Sequence, residues 1–106
     1  MPTFEDRGKG FEEKYAHDKE FEFKVQARRN KLLGLWAADK MAMEGAAADA
    51  YAREVIESEF QEAGDEDVFA KVWGDLQAKS VDVSEHQVRR QMSDFLEEAR
   101  TQLASD

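Results

Sequence analysis

Apolar residues recur along most of this chain at helical spacing and divide it into amphipathic stretches. The longest is predicted at residues 18–43, with apolar positions four and seven residues apart. These positions are Phe21, Val25, Leu32, Trp36 and Met43. Further helices are predicted at 47–63 and at 65–79, the latter beginning with three acidic residues that suit a helix N-terminus. Gly45 and Gly64 are the expected stops of the first two helices.

The fourth helix, predicted at residues 84–104, has the best-marked beginning. Ser84 as N-cap and Gln87 three residues later form a capping box. Val83 and Val88 stand where a hydrophobic staple places its two apolar residues. Three local signals therefore agree on one boundary.

No strand-like alternation interrupts these helices, and the chain holds one proline and six glycines in 106 residues. We therefore predict an all-α fold, a four-helix bundle with one long first helix. Residues 18–106 form the bundle, and residues 1–17 form a flexible N-terminal arm.

The arm carries three aromatic residues on one predicted helical face, Phe4, Phe11 and Tyr15. Gly8 and Gly10 each lower helix propensity by about 1 kcal/mol relative to alanine. Such a segment would be a marginal helix alone and could form on contact with a partner. The alternative, that the aromatics pack back on the edge of the bundle, has equal support from composition.

Charge and composition narrow the functional class. The net charge of −9 is concentrated beyond residue 43, which disfavours nucleic acid and anionic membrane surfaces as partners. No segment has the length and apolarity of a membrane span, and the N-terminus lacks the apolar region of a signal peptide. The expected location is the cytoplasm. With no cysteine, disulfides and thiolate chemistry are excluded.

No residue pattern indicates catalysis. The two histidines, His17 and His86, lack the Glu-x-x-His and His-Glu-x-x-His spacings of metal-binding helices. Glycine-rich phosphate loops are missing as well. Ser84 stands near His86, but capping is its expected role. We expect neither catalytic nor metal-binding residues, and no required cofactor.

Two basic clusters are candidates for anion recognition: Arg28, Arg29 and Lys31 on the first helix, and Arg89 and Arg90 on the last. Arginine suits phosphate and carboxylate groups, so both clusters facing one groove would make a weak nucleotide site. The alternative, favoured by the acidic residues downstream, is that these are solvated faces paired with carboxylates.

Several segments resemble the zeta subunit family of alphaproteobacterial F-type ATP synthases. The most specific is residues 27–38, ARRNKLLGLWAA. Others are Phe11-Glu12, residues 14–18 (KYAHD), residues 60–69 (FQEAGDEDVF) and residues 87–92 (QVRRQM). The resemblance extends over essentially the whole chain.

This resemblance implies a four-helix regulatory protein that inhibits ATP hydrolysis by the catalytic head of the synthase. Its partners would be the catalytic subunits, and it would be peripheral on the membrane-bound enzyme. The inhibitory element would be the arm, with the candidate residues Phe4, Arg7, Phe11, Lys14 and Tyr15. Weak binding of ADP or ATP is also implied, and charge alone assigns it to the two basic clusters. The alternatives are a nucleotide-sensing bundle and a generic helical adaptor.

One departure from the family concerns Gly8 and Gly10, which stand where relatives have better helix formers. Their low helix propensity should raise the cost of ordering the arm on binding.

Overall fold

The computed structural model describes residues 4–59 and 65–104, with the side chains of the first helix described from residue 18 onward. Within these residues the chain forms four α-helices and no strand. They are α1 (Phe4–Lys40), α2 (Gly45–Ser58), α3 (Asp65–Ala78) and α4 (Glu85–Ala104). This confirms the predicted all-α fold with four helices and a long first helix.

The long helix α1 is the element around which the bundle is built. α1 contacts α2, α3 and α4, while α3 also contacts α2 on one side and α4 on the other. α2 and α4 do not contact each other within the described chain. The three shorter helices therefore wrap around part of α1 in sequence order.

The core is formed by the apolar faces of all four helices. Its fully buried side chains include Leu33 from α1, Val55 from α2, Val72 and Leu76 from α3, and Val88 from α4. The two tryptophans, Trp36 and Trp73, pack against this core while keeping one side partly exposed. The amphipathic pattern of each helix thus becomes one continuous apolar interior.

α1 and α2 pack in close contact at Gly34. A Cβ atom at this position would lie 2.7 Å from the Cα of Ala52 and 3.3 Å from the Cβ of Val55. A separation of 2.7 Å from a backbone atom is shorter than any ordinary van der Waals contact. Glycine therefore allows the two helix backbones to pack at this distance.

The first helix differs from the prediction at both ends. α1 begins at Phe4 instead of residue 18, because residues 4–17 contain no proline and their Glu and Lys side chains outnumber the two glycines. α1 ends at Lys40 instead of residue 43. Gly45 does not end α1. It is the first residue of α2, which was predicted to begin at residue 47. Its φ of 56° lies in the left-handed region that favours glycine.

The actual stop of α1 is a left-handed turn at Ala42, whose φ is 61°. The amide of Ala42 donates to the carbonyl of Asp39 at 3.0 Å, and the amide of Met43 donates to the carbonyl of Ala38 at 2.8 Å. This pair of bonds is the Schellman motif. Met43 then packs against the core, so burial of its side chain accompanies the turn.

α3 ends in the same motif. Ser80 has φ of 57°, its amide donates to the carbonyl of Gln77 at 2.9 Å, and the amide of Val81 donates to the carbonyl of Leu76 at 3.0 Å. Val81 packs against the core, as Met43 does after α1. Both stops are made by residues other than glycine, which is why the sequence pattern did not mark them.

The end of α2 also differs from the prediction, whereas the start of α4 agrees with it. α2 ends at Ser58 instead of residue 63, with Glu59 as its C-cap, and the predicted stop at Gly64 lies outside the described residues. The capping box of α4 is confirmed. The backbone amide of Gln87 donates to Ser84 Oγ at 3.1 Å, and the backbone amide of Ser84 donates to Gln87 Oε1 at 2.8 Å. Reciprocal bonds of this kind satisfy amides that the helix leaves unpaired.

Candidate functional site

The predicted arm falls for the most part within α1, which runs without a break from Phe4 to Lys40. The side chains of its candidate residues lie outside the described part of the structure. They are Phe4, Arg7, Phe11, Lys14 and Tyr15. Their role in partner binding, and the treatment of residues 1–17 as a separate flexible arm, therefore stay predictions.

The backbone of α1 nevertheless relates the arm to the bundle. An α-helix turns by about 100° per residue, so positions 4, 11, 15, 22, 29 and 33 lie within about 40° of one another around the axis. Of the later positions, Arg29 is 2% exposed and Leu33 is 0% exposed. The aromatic positions of the arm thus continue the same helical face that the bundle buries.

Contacts between α1 and α4 lie near the first described side chains of α1. Residues 18–20 are all exposed. The last turns of α4 then contact α1 through Arg100 Nη2, 3.0 Å from Glu22 Oε2, and through Gln102 Oε1, which accepts from Arg28 Nη1 at 2.8 Å. The arm therefore leaves the bundle at the end where α4 finishes.

A buried polar network ties α1 to the connection between α2 and α3. Arg29 Nε donates to Asn30 Oδ1 at 2.6 Å, and Arg29 Nη2 lies 2.9 Å from Asp65 Oδ1 and 3.6 Å from Glu59 Oε1. Asn30 Nδ2 donates to Glu59 Oε2 at 2.6 Å. Since Glu59 caps α2 and Asp65 begins α3, two adjacent residues of α1 hold both helix ends.

A second arginine contact joins α4 to the start of α3. Arg89 donates from both Nη atoms to the Glu66 carboxylate, at 2.9 and 3.0 Å, and its guanidinium lies 3.8 Å from the ring centre of Phe69. These hydrogen bonds and the charge of Arg89 lower the pKa of Glu66 below its usual value. The arrangement combines a bidentate ion pair with a cation–π contact.

The five residues predicted from charge to bind nucleotide are divided by the fold. Arg29 and Arg89 line one cavity of about 280 Å³, together with their carboxylate partners. Lys31 lines a different cleft between α1 and α2. Arg28 is bonded to Gln102, and Arg90 is exposed on α4. Carboxylates already pair with the two arginines of the cavity, Arg29 and Arg89. Nucleotide binding by the five predicted residues stays a prediction.

One side-chain cluster was not anticipated from the sequence. Tyr51 Oη donates to Asp75 Oδ2 at 2.8 Å, and Lys71 Nζ lies 2.9 Å from the same oxygen and 5.3 Å from the centre of the Tyr51 ring. Burial first, then the bond to Asp75, raises the pKa of Tyr51 far above its usual value. The four-residue spacing of Lys71 and Asp75 was the available signal.

Among the described side chains, those of residues 18–59 and 65–104, no cluster of three or more His, Cys, Asp and Glu residues is arranged to hold a metal ion. The helices of this part of the chain also include none with the length and apolarity to cross a membrane.

Comparison with known proteins finds a matching family model and similar solved structures. A family model described as ATPase inhibitor subunit zeta matches residues 1–102. A protein known from a solution NMR structure is 45% identical, with a TM-score of 0.71, and the match covers 79% of this chain and 95% of that one. No curated protein matches.

Proposed function

We propose that this chain, which belongs to the ATPase inhibitor subunit zeta family, inhibits ATP hydrolysis by the catalytic head of an F-type ATP synthase through residues 1–17. The arm binds as a helix between catalytic subunits and blocks rotation in the hydrolytic direction. The protein acts in the cytoplasm, peripheral to the membrane-bound synthase, and contributes no catalytic residue of its own.

The observation that carries this proposal is the continuity of α1. Its 37 residues correspond to a helix of about 55 Å, whereas α4, with 20 residues, corresponds to about 30 Å. No single shorter helix can lie along the whole of α1, and the molecule is 64 Å long but only 25 and 21 Å across. A helix end that extends beyond its own bundle would be suited to insertion into a partner.

Helical phase supports the same proposal. Positions 4, 11 and 15 share the face of α1 that the bundle buries farther along, at Arg29 and Leu33. An amphipathic helix that continues beyond its own bundle presents to a partner the kind of apolar face that fits a hydrophobic groove. Recognition would therefore use Phe4, Phe11 and Tyr15 as anchors.

The test is an ATP hydrolysis assay with the purified cognate catalytic head. Full-length protein should slow hydrolysis, and the variant Phe11→Ala/Tyr15→Ala should raise the concentration needed for half-inhibition by about tenfold or more, as loss of aromatic anchors does. Glu13→Gln is the matched control, because position 13 lies on the opposite side of the helix from position 4.

Removal of residues 1–17 should abolish inhibition while circular dichroism shows the bundle still folded. Inhibition by the shortened chain equal to that of the full chain would disprove the role of the arm. Binding to the head without any slowing of hydrolysis would instead indicate an adaptor.

A further inference from the structure

Cations in the described part of the chain differ in whether a carboxylate neutralises them. Five arginine and lysine side chains lie 2.9–3.8 Å from the carboxylate oxygen of an acidic partner. These pairs are Lys24–Glu20, Arg29–Asp65, Lys71–Asp75, Arg89–Glu66 and Arg100–Glu22. The side chains of Lys31 and Arg53, both exposed, form no ion pair or hydrogen bond with any described residue.

These two unpaired cations share one cleft. Lys31 from α1 and Arg53 from α2 line a space of about 380 Å³, with Asp49 as its one acidic residue and Ala52 and Ile56 as its apolar residues. Ala52 also lies where the backbones of α1 and α2 pack closely, opposite Gly34. In a chain of net charge −9, this is a local site of excess positive charge that also has apolar lining residues.

The chemistry of the cleft favours a carboxylate-bearing peptide over a phosphate group. Lys31 and Arg53 both lie more than one turn inside their helices, where backbone amides are already bonded within α1 and α2. The cleft therefore lacks the free amides of a helix N-terminus or anion nest, which commonly complete phosphate sites. The apolar lining residues, Ala52 and Ile56, suit an aliphatic side chain between two acidic ones.

We propose that the cleft between α1 and α2 docks an acidic peptide segment of the same protein on which the arm acts, with Lys31 and Arg53 pairing its carboxylates. This inference rests on the proposed function for the identity of the partner. It adds a second contact, on the bundle, which contributes affinity while the arm contributes inhibition.

The experiment measures binding of the full-length chain to the purified cognate catalytic head at low and at physiological salt, alongside hydrolysis. Lys31→Glu/Arg53→Glu should weaken the Kd by about tenfold at low salt and by less at higher salt. At saturating concentration it should still inhibit fully, because the arm is intact. Lys31→Gln/Arg53→Gln, which only removes charge, should have a smaller effect in the same direction.

The matched control is Lys79→Glu/Arg90→Glu, which changes net charge equally at two other exposed cations that have no ion pair with any described residue. An equal loss of affinity in this control, or an unchanged Kd in Lys31→Glu/Arg53→Glu, would overturn the docking site. Saturable amide shifts at Lys31 and Arg53 on titration with inorganic phosphate, with competition against the head, would assign the cleft to phosphate instead.

The two proposals fail in different ways. If the wild-type chain binds the head but leaves hydrolysis unchanged, the arm proposal fails, while a selective loss of affinity in Lys31→Glu/Arg53→Glu still supports the cleft. If the chain inhibits and that variant binds normally, only the cleft is disproved.

Discussion

At the scale of single residues, Arg29 and Asn30 are the most unusual feature of the bundle. Both are buried, at 2% and 0% exposure, on a helix face that otherwise carries apolar side chains. A buried guanidinium is tolerated because Asp65 and Asn30 accept its hydrogen bonds, and the carboxylates of Asp65 and Glu59 match its charge. The pair sets the positions of the α2 end and the α3 start relative to α1.

Replacing Arg29 with alanine is expected to lower the free energy of unfolding by about 3 kcal/mol, because it leaves partly buried acceptors without their donor. Urea denaturation followed by circular dichroism measures this. Arg90→Ala, at an exposed position of α4, should change stability by less than about 0.5 kcal/mol. Equal effects of the two variants would show that the network does not stabilise the fold.

Tyr51 gives the bundle a predictable response to alkaline pH. Burial and the bond to Asp75 raise its pKa in the folded state, whereas in the unfolded chain a tyrosine ionises near pH 10. The folded state then holds the proton that the unfolded state loses, so stability decreases as the pH rises above about 10, by up to about 1.4 kcal/mol per pH unit.

The measurement compares the free energy of unfolding at about pH 8 and about pH 11 in wild type and Tyr51→Phe. Phenylalanine cannot ionise, so the variant should lose less stability between these two values. Parallel losses in both proteins would mean that other groups cause the alkaline response.

At the scale of helices, two glycines of the described chain have opposite environments. A methyl group at Gly34 would meet the backbone of Ala52, while a methyl group at Gly74 would have no heavy atom within 4 Å. The sequence alone shows two glycines inside predicted helices and cannot distinguish them, since the difference depends on which helix packs against each position.

Gly34→Ala should destabilise the protein by about 2 kcal/mol, because the added methyl forces α1 and α2 apart. Gly74→Ala should stabilise it by up to about 1 kcal/mol through helix propensity alone. Thermal unfolding of both variants gives the two signs. If Gly34→Ala were as stabilising as Gly74→Ala, the close approach of the helices would be disproved.

The left-handed conformation of Ser80 predicts that glycine has opposite effects on stability at the end of a helix and inside one. Ser80→Gly should raise stability by about 0.5 to 1 kcal/mol, since a left-handed residue with a Cβ is strained by about 1–2 kcal/mol and glycine is not. Ala50→Gly, at an exposed position inside α2, should lower it by about 1 kcal/mol. Chemical denaturation of the two variants should therefore shift in opposite directions.

At the scale of the whole molecule, α1 has two functions in the proposal. Its buried part is the helix on which α2, α3 and α4 pack, and its N-terminal part is the inhibitory segment. A single helix joining the two makes the orientation of the arm depend on the bundle. This is an advantage for binding, because part of the ordering cost is met before the partner is reached.

The glycines of the arm allow this idea to be tested. Position 10 lies about 120° away from the aromatic positions 4, 11 and 15, so Gly10→Ala raises helix propensity without altering that face. We expect it to increase helicity by circular dichroism and to tighten inhibition by about fivefold. Gly8 lies nearer the aromatic face, so Gly8→Ala changes propensity and surface together. Unchanged or weaker inhibition by Gly10→Ala would mean that the arm does not bind as a helix.

Local patterns in the sequence determined the helix content, the amphipathic faces and the start of α4, because hydrophobic period and capping depend on residues within one or two turns. The resemblance at residues 27–38 identified the family, which the family match over residues 1–102 supports. Tertiary structure decided what depends on contacts between distant segments. These are the stops at Ala42 and Ser80, which form as Met43 and Val81 pack against the core, the burial of Arg29, and the separation of Lys31 from Arg89.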